Sequence, residues 1–253
     1  MTPSRPHPRP VLVVTGASRG IGAAVAELAA QEGYDLVLNY LSDHAAAEAV
    51  AGRCRAAGAR VEVLAGDMAS EADVIALFAL ADAAFGRVDA LCNNAGVLER
   101  PMPVAALEAG QIDRLLRLNV GGTLLCLREA VRRMLAAGTG GAVVNLGSRL
   151  SDLGGAGGFI VYGATKGAID SLTRGAAREL AGQGIRVNAV SPGLIDTDIH
   201  ASAGQPDRAR ALAPQVPAGR AGTAQEVAEA VLWLLSPRAD YVTGAVLPVS
   251  GGR

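Results

Sequence analysis

The sequence predicts an α/β domain in which a doubly wound parallel sheet of about seven strands carries helices on both faces. Three observations support this fold class. Short apolar runs recur along the chain, a helical stretch follows nearly every run, and half of the 253 residues are hydrophobic. The apolar runs are continuous rather than alternating, which is typical of strands buried on both faces. A chain of this length fits one hydrophobic core better than two.

The predicted elements alternate from residue 11 onward. The first run is mostly β-branched, as strands prefer, and the stretch after it is rich in Ala, which favours a helix. The predicted strands are 11–14, 35–38, 61–65, 90–92, 142–146, 185–190 and 246–249. The predicted helices are 21–31, 45–57, 71–85, 111–137, 165–183 and 225–235. This order of elements indicates repeated βαβ units.

Two segments stand outside this alternation. Residues 1–10 contain four prolines, and we interpret them as a mobile tail that precedes a single domain of residues 11–253. Residues 194–222 form the longest irregular segment and contain three prolines. A long loop inside a compact domain is usually functional. We therefore expect a small substrate-binding lobe there.

Composition excludes several classes of function. Lys and Arg number 23 against 24 Asp and Glu, so the chain lacks the basic excess of a nucleic-acid-binding protein. No apolar run reaches the ~18 residues of a membrane helix. The three cysteines are far apart, which indicates neither a disulfide framework nor a metal site. We expect a cytoplasmic protein without metal, nucleic-acid or membrane partners.

A glycine-rich turn directly follows the first predicted strand. Residues 15–22 read TGASRGIG, and the first helix begins within them. Glycines at such a turn let the main chain approach a pyrophosphate, which then meets the free N–H groups of the helix start. A purely structural turn is the alternative, but the position in a βαβ unit favours a dinucleotide site.

The only lysine of the chain, Lys166, lies four residues after Tyr162. On a helix, this spacing places both side chains on one face. The pKa of a free Tyr is near 10, and a neighbouring ammonium lowers it toward the range of a useful acid or base. Ser148 follows the fifth predicted strand, where its hydroxyl can bind the same substrate oxygen. Taken alone, the pair is an ordinary surface pattern.

These motifs occur together in an order that resembles the short-chain dehydrogenase/reductase family. The TGxxxGxG turn, Asn93-Asn94-Ala95-Gly96 after the fourth strand, and the YxxxK pair all match that family. The resemblance implies a Rossmann-type fold with catalytic Asn119, Ser148, Tyr162 and Lys166. It implies that a nicotinamide cofactor contacts Gly16, Ser18, Arg19, Gly20, Ile21, Gly22, Asn39, Asp67, Met68, Asn94, Ala95, Gly96, Tyr162, Lys166, Pro192, Gly193 and Thr197.

The end of the second strand predicts which nicotinamide cofactor is preferred. Sites that prefer NAD usually place Asp or Glu there, against the ribose 2′-hydroxyl. Here that position is the neutral Asn39, and Arg19 brings a permanent positive charge suited to a 2′-phosphate. Asp43 is the one acid nearby and argues weakly the other way. We therefore expect NADP(H) to be favoured, with NAD(H) possible.

The expected activity is hydride transfer between NADP(H) and a carbonyl or secondary alcohol of sugar, ketone or 3-oxoacyl type. The chain most resembles family members similar to glucose 1-dehydrogenase and to 3-oxoacyl-carrier-protein reductase. Three alternatives remain: an NAD-dependent dehydrogenase of this family, a member that performs dehydration or epimerisation, and a dinucleotide-binding regulator without turnover. The complete Ser, Tyr and Lys set counts against the regulator.

Other features predict partners and packing. The helices at 111–137 and 162–183 carry more apolar residues than one sheet face requires, and we expect a homotetramer built through them. The residues that suggest this are Leu115, Leu118, Leu124, Leu127 and Val131. Arg132, Arg133 and Arg178 could contact an acidic carrier protein or simply face solvent. His200 could touch substrate, and Trp233 is most simply core packing.

Overall fold

Residues 9–253, which the computed structural model describes, form one parallel sheet covered by helices on both faces. The strands are β1 (Val11–Val14), β2 (Asp35–Tyr40), β3 (Val61–Ala65), β4 (Ala90–Asn93), β5 (Gly141–Leu146), β6 (Ile185–Pro192) and β7 (Val246–Val249). Their order in the sheet is β3-β2-β1-β4-β5-β6-β7. The predicted fold class is confirmed, and each predicted strand is present with small shifts at its ends.

The sheet order has one reversal, which positions the site. The chain moves outward from β1 to β3, then crosses back and continues from β4 to β7. Val14, the last residue of β1, pairs with Leu38 of β2 and with Cys92 of β4. In open α/β sheets, ligands bind at the carboxyl ends of the strands beside such a reversal. The glycine-rich turn leaves β1 at this point.

Helices cover both faces and bury the central strands between them, while the edge strands β3 and β7 are only partly buried. The longer helices are α1 (Gly20–Gln31), α2 (His44–Ala56), α3 (Glu71–Phe85), α4 (Ala109–Leu116), α5 (Thr123–Ala137) and α6 (Ile160–Leu180). The remaining helices are α7 (Ile199–Ser202), α8 (Arg208–Leu212) and α9 (Ala224–Leu235). Alternate residues of β1 enter different cores. Leu12 and Val14 pack on the side of α1 and α9, and Val11 and Val13 pack on the side of α3 and α5. This two-sided burial explains the continuous apolar runs.

The long helix predicted at 111–137 is divided. Between α4 and α5 lies a π-helical segment, Arg117–Gly122, which contains Asn119. Gly122 is required here, because a Cβ at this position would lie 2.7 Å from the Met68 carbonyl oxygen. Single π turns inside α-helices occur frequently at functional sites. The interruption therefore marks the helix that faces the crevice.

The sixth helix begins earlier than predicted. It starts at Ile160 rather than at residue 165, so Tyr162 and Lys166 both lie in the first two turns of α6. The segment 194–222 contains the short helices α7 and α8, and a bridge between Ile195 and Gly222 closes its base. This segment rises beside the carboxyl ends of β5 and β6.

The predicted mobile tail, residues 1–10, extends two residues too far, to Arg9 and Pro10. Residues 1–8 lie outside the described part of the chain, but Arg9 and Pro10 are held against the sheet. Arg9 donates to the carbonyl oxygens of Gly33 at 3.0 Å and Gly58 at 2.7 Å, and the Pro10 carbonyl accepts from Asp35 N at 2.9 Å. None of the helices formed by residues 9–253 is long and apolar enough to cross a membrane.

Candidate active site

The glycine-rich turn is a close-packed main-chain structure. Gly16 and Gly20 have φ values of +64° and +57°, a region that favours glycine. A Cβ at Gly22 would lie 2.4 Å from the Gly16 carbonyl oxygen and 2.5 Å from Asn94 Nδ2. Any larger side chain at Gly22 would therefore displace the turn.

Asn94 ties this turn to the next strand. Its Nδ2 donates to the carbonyl oxygens of Thr15 and Gly16, both at 2.9 Å. In return, Thr15 Oγ1 accepts from the main-chain N–H groups of Asn94 and Ala95, both at 3.0 Å. The two sequence motifs that suggested a cofactor site thus form one hydrogen-bonded unit.

The start of α1 is suited to a pyrophosphate. Arg19 occupies the N-cap position in an extended conformation, with φ −159° and ψ 174°. The first turn of the helix has no acidic side chain. Its free N–H groups and the positive end of the helix dipole are therefore available to a phosphate. The residues present therefore fit the phosphate portion of a dinucleotide.

A cavity of about 410 Å³ extends from this turn, and we name it the cofactor cavity. The predicted cofactor residues that line it are Gly16, Ser18, Arg19, Gly20, Ile21, Asn39, Asp67, Met68, Asn94, Ala95, Gly96 and Thr197. Gly22 lies beneath the turn and packs there instead. The sequence reasoning missed Leu41, Gly66, Val97 and Leu118, which also line the cavity.

Asn39 has a structural use that the sequence did not indicate. Its side chain is buried, Oδ1 accepts from Gly16 N at 3.2 Å, and Nδ2 donates to the Gly66 carbonyl at 2.9 Å. The amide therefore joins β2 to the glycine-rich turn. The exposed groups at this end of the cavity are Arg19, Leu41, Ser42 and Asp43.

Asp43, the acid that argued against a 2′-phosphate, is exposed and lines the cavity, and it also caps a helix. Its carboxylate accepts from Ala46 N at 3.0 Å and caps the start of α2. Asp67, at the opposite wall, remains exposed, and one carboxylate oxygen accepts from Ala69 N at 2.9 Å.

A second cavity adjoins the first, and we name it the substrate cavity. The predicted Ser148, Tyr162, Lys166, Pro192 and Gly193 line it, and Thr197 and Gly96 border both cavities. Gly193 packs against the C-terminal segment, because a Cβ there would lie 2.7 Å from Ser250 Cβ. The structure thus brings the predicted catalytic side chains to the carboxyl ends of β5 and β6.

Lys166 is buried, and its position depends on the end of β5. Its Nζ donates to the Leu146 carbonyl at 2.7 Å and lies 5.6 Å from the centre of the Tyr162 ring. Burial lowers the pKa of Lys166 to about 8, while Asp170 acts in the opposite direction. Asp170 lies four residues later on the same face of α6, a neighbour that sequence reasoning missed.

Tyr162 retains its proton more firmly than the sequence suggested. Burial raises the pKa of Tyr162 to about 12, and a hydrogen bond with Ser148 opposes that rise. We expected Lys166 to lower the pKa of Tyr162. That expectation is wrong for the protein's own groups, because desolvation is the largest influence on the pKa of Tyr162. Tyr162 is therefore a protonated hydroxyl at neutral pH.

The side chain of Asn119 holds the loop after β4 in place by hydrogen bonds. Its Oδ1 accepts from Val97 N at 2.9 Å, and its Nδ2 donates to the Val97 carbonyl at 3.0 Å and to Thr165 Oγ1 at 3.3 Å. A Cβ at Gly96 would lie 3.2 Å from Asn119 Oδ1 and 3.8 Å from Lys166 Nζ. Glycine at this position therefore keeps space open between the two side chains.

Beneath the catalytic residues lies a buried chain of polar side chains. Asn93 Nδ2 donates to Asn145 Oδ1 at 2.9 Å, and Asn145 Nδ2 donates to Thr173 Oγ1 at 2.9 Å. This chain links β4, β5 and α6 below the site, so the first Asn of the NNAG motif has a structural function.

Two other candidates have definite surroundings. His200 is buried in the wall of the substrate cavity, and its Nε2 hydrogen-bonds the Ile195 carbonyl at 2.9 Å. Burial lowers the pKa of His200, so the ring is neutral. Trp233 is 36% exposed on the outer side of α9, so its expected place in the core is wrong. Within residues 9–253, no three His, Cys, Asp or Glu side chains could hold a metal.

Comparison with known proteins places this geometry in a family. A family model described as "Enoyl-(Acyl carrier protein) reductase" matches residues 16–253. An uncharacterized oxidoreductase of Escherichia coli strain K12, YgfF, is 46% identical over 96% of this chain and 99% of its own. A cis-4-hydroxycyclohexanecarboxylate dehydrogenase of Sinomonas cyclohexanicum is 42% identical over 96% and 95% of the two chains.

Solved structures agree with these sequence relatives. The crystal structure of levodione reductase superposes with a TM-score of 0.90 at 33% identity and covers 96% of both chains. A Serratia marcescens short-chain dehydrogenase/reductase superposes with a TM-score of 0.88 at 37% identity, covering 97% of this chain and 99% of its own.

Proposed function

The chain belongs to the short-chain dehydrogenase/reductase family and is an NAD(P)-dependent oxidoreductase of CH–OH and C=O groups; we propose that it prefers NADP(H) and acts on a ketone or the corresponding secondary alcohol. The observation that carries the proposal is the arrangement of Tyr162, Lys166 and Ser148 beside the glycine-rich turn. The name of the Sinomonas relative, a dehydrogenase of a cyclic alcohol, supports a ketone or secondary alcohol rather than a sugar.

The chain's own residues hold the cofactor and move the proton. The turn at 16–22 and the start of α1 would hold the pyrophosphate, and Asp67 with Met68 would border the adenine. A bound nicotinamide supplies or accepts the hydride. In reduction, Tyr162 Oη gives its proton to the carbonyl oxygen, and Ser148 Oγ hydrogen-bonds the same oxygen.

Lys166 supports this proton transfer from beneath. Its ammonium group stabilises the phenolate that Tyr162 becomes after giving up its proton. Removal of a proton from an alcohol, in the opposite direction, needs that phenolate from the start. Since burial raises the pKa of Tyr162, its hydroxyl holds at neutral pH the proton that reduction requires.

The preference for NADP(H) rests on the charges at the end of β2. Arg19 has a permanent charge beside the cavity, Ser42 is exposed there, and the carboxylate of Asp43 caps α2. Arg donors are well suited to phosphate oxygens. Asp43 also lines this cavity, and its capping hydrogen bond holds its carboxylate at the start of α2.

The test is a reduction screen over ketones, sugars, quinones and acyl thioesters with NADPH and with NADH, followed at the nicotinamide absorbance. We expect ketones to be the best substrates and NADPH the better donor. Activity confined to sugars or thioesters, or equal efficiency with NADH, would contradict the respective part of the proposal.

We also propose a homotetramer. Leu115 and Leu127, two of the residues that suggested it, are buried in the chain's own core, so they do not support assembly. Leu116 and Leu124 are 45% and 46% exposed on the same helical segment and provide the remaining argument. Arg133 is paired with Asp82 and Glu129 and is unavailable to a carrier protein.

Sedimentation at micromolar concentration tests the assembly. We expect a mass about four times that of one chain, reduced by Leu124→Glu, because a charge in an apolar interface is costly to bury. A mass near 25.6 kDa for the unmodified protein would reject the tetramer.

A further inference from the structure

The substrate cavity is positively charged. The side chains of Arg149, Arg208, Arg253 and Lys166 border it, and within residues 9–253 neither Asp nor Glu belongs to its lining. The whole chain has a net charge of −1, so this concentration of cations is local. Buried or half-buried charges require compensation from a partner. The question is which of these cations already has one.

Two of the four cations are compensated within the chain. Arg149 forms a salt bridge with Asp152, and its Nε donates to the Arg253 carbonyl at 2.9 Å. Lys166 donates to the Leu146 carbonyl and has Asp170 four residues along α6. These two side chains have defined structural or catalytic tasks.

Arg208 and Arg253 form no salt bridge within residues 9–253. Arg208 is half-buried, its guanidinium lies 4.6 Å from the centre of the Phe159 ring, and its Nη1 donates to Gln205 Oε1 at 2.7 Å. Burial and the neighbouring charge of Arg253 both lower the pKa of Arg208. Arg208 therefore has a positive charge and free N–H donors without a charged partner.

The surroundings of Arg208 relate it to the reacting centre. Phe159, on which it stacks, immediately precedes α6 and lies three residues, or one helical turn, before Tyr162. Tyr162 packs against the apolar cluster that contains Phe159, and both Arg208 and Tyr162 line the substrate cavity. The same cavity is lined by the apolar Leu150, Leu153 and Ile199. A ligand that fits has an apolar body and an anionic group at one end.

From this arrangement we infer that the substrate is a ketone or secondary alcohol with a carboxylate on an apolar skeleton, and that Arg208 binds the carboxylate. The inference rests on the proposed function, since it names the substrate class of the same site. The planar fork of a guanidinium matches the two oxygens of a carboxylate. A phosphate offers similar oxygens, but the apolar walls favour a hydrocarbon skeleton over a phosphorylated polyol.

Paired substrates test this assignment without assuming the natural one. The ratio of kcat/KM for 4-oxocyclohexanecarboxylate over its neutral carboxamide is measured with NADPH. Since the pair differs mainly in charge, a charge-assisted bidentate contact gives a ratio of about tenfold to a hundredfold. We expect Arg208→Gln to lose most of the ratio and Arg208→Lys to keep an intermediate value, because Lys retains the charge without the fork.

The same helix offers a matched control. Arg210 is two residues away, its side chain is 84% exposed, and it pairs with Asp207. Arg210→Gln removes the same charge from the protein and should leave the ratio unchanged. Thermal unfolding and NADPH binding of each variant show whether the fold and the cofactor site are intact. The inference would be overturned if the unmodified protein gave a kcat/KM ratio near one, or if Arg208→Gln kept the ratio of the unmodified protein.

Two further measurements separate the possible failures. If neither ketone is reduced, calorimetric titration of the NADPH-loaded protein with cyclohexanecarboxylate decides. If the unmodified protein binds cyclohexanecarboxylate and Arg208→Gln does not, the anion site is supported and only the proposed ketone chemistry fails. If the unmodified protein does not bind it, both proposals are overturned. A preference for dihydroxyacetone phosphate over dihydroxyacetone, with none for the carboxylate, would assign the site to phosphate and overturn the carboxylate.

Discussion

The cofactor cavity and the substrate cavity lie side by side but are lined by different kinds of groups. Main-chain groups and glycines shape much of the cofactor cavity, and Asn39 and Asn94 tie its turn to the sheet. The substrate cavity is lined mainly by large side chains that three distant segments contribute, around 148–153, 194–208 and 253. We therefore propose that main-chain packing around the turn governs cofactor binding, while side chains from these distant segments govern substrate selection. The following experiments test this division.

The largest effect is expected at the junction of the two cavities. Tyr162→Phe keeps the ring and its packing but removes the proton donor, so kcat should fall at least ~10²-fold, a typical size for general acid catalysis. Steady-state rates of ketone reduction measure the loss, and NADPH titration should show nearly unchanged affinity. Turnover close to wild type would mean that the substrate cavity uses another acid.

Arg19→Ala tests the cofactor cavity alone. Loss of a charge-assisted contact of about 1.5–3 kcal/mol should remove most of a tenfold to hundredfold preference for NADPH over NADH in kcat/KM. Arg55→Ala is the control, because Arg55 pairs with Glu48 on the exposed side of α2. If Arg19→Ala retains the preference, the 2′-phosphate is recognised by other groups.

A pair of glycines tests how tightly the turn is packed. Both Gly22 in α1 and Gly52 in α2 are helical, but a Cβ at Gly52 would have nothing within 4 Å. Gly22→Ala should destabilise the protein by about 1–3 kcal/mol and weaken NADPH binding, since its Cβ overlaps the Gly16 carbonyl. Gly52→Ala should stabilise by up to about 1 kcal/mol. Urea unfolding measures both, and similar values would contradict the close packing.

Lys166 gives the most specific effect, a change of stability with pH. Its pKa is about 8 in the fold and 10.5 in the unfolded chain. Between these values the unfolded chain binds more protons, so the contribution of Lys166 to stability rises with pH. Relative to wild type, Lys166→Met should be most stable below about pH 8 and should lose up to about 3 kcal/mol of that advantage by pH 10.5. A difference independent of pH would mean that Lys166 is not desolvated.

Local sequence patterns determined the fold class and indicated the residues that we propose to be catalytic. Continuous apolar runs identified buried parallel strands, and the turn at 15–22 identified the phosphate end, because both features depend on neighbouring residues. The spacing of Tyr162 and Lys166 was sufficient to place them together on one helix.

Only the tertiary structure decided the electrostatics and the substrate wall. Burial depends on packing from every side, and it lowers the pKa of Lys166 and raises that of Tyr162. The spacing of Tyr162 and Lys166 in the sequence had suggested a lowered pKa for Tyr162. The buried amide of Asn39 acquired a structural role because Gly66 and Gly16 meet around it. Arg208 and Tyr162 are 46 residues apart in the sequence. The fold alone makes them neighbours of one aromatic ring, since Phe159 lies beside both.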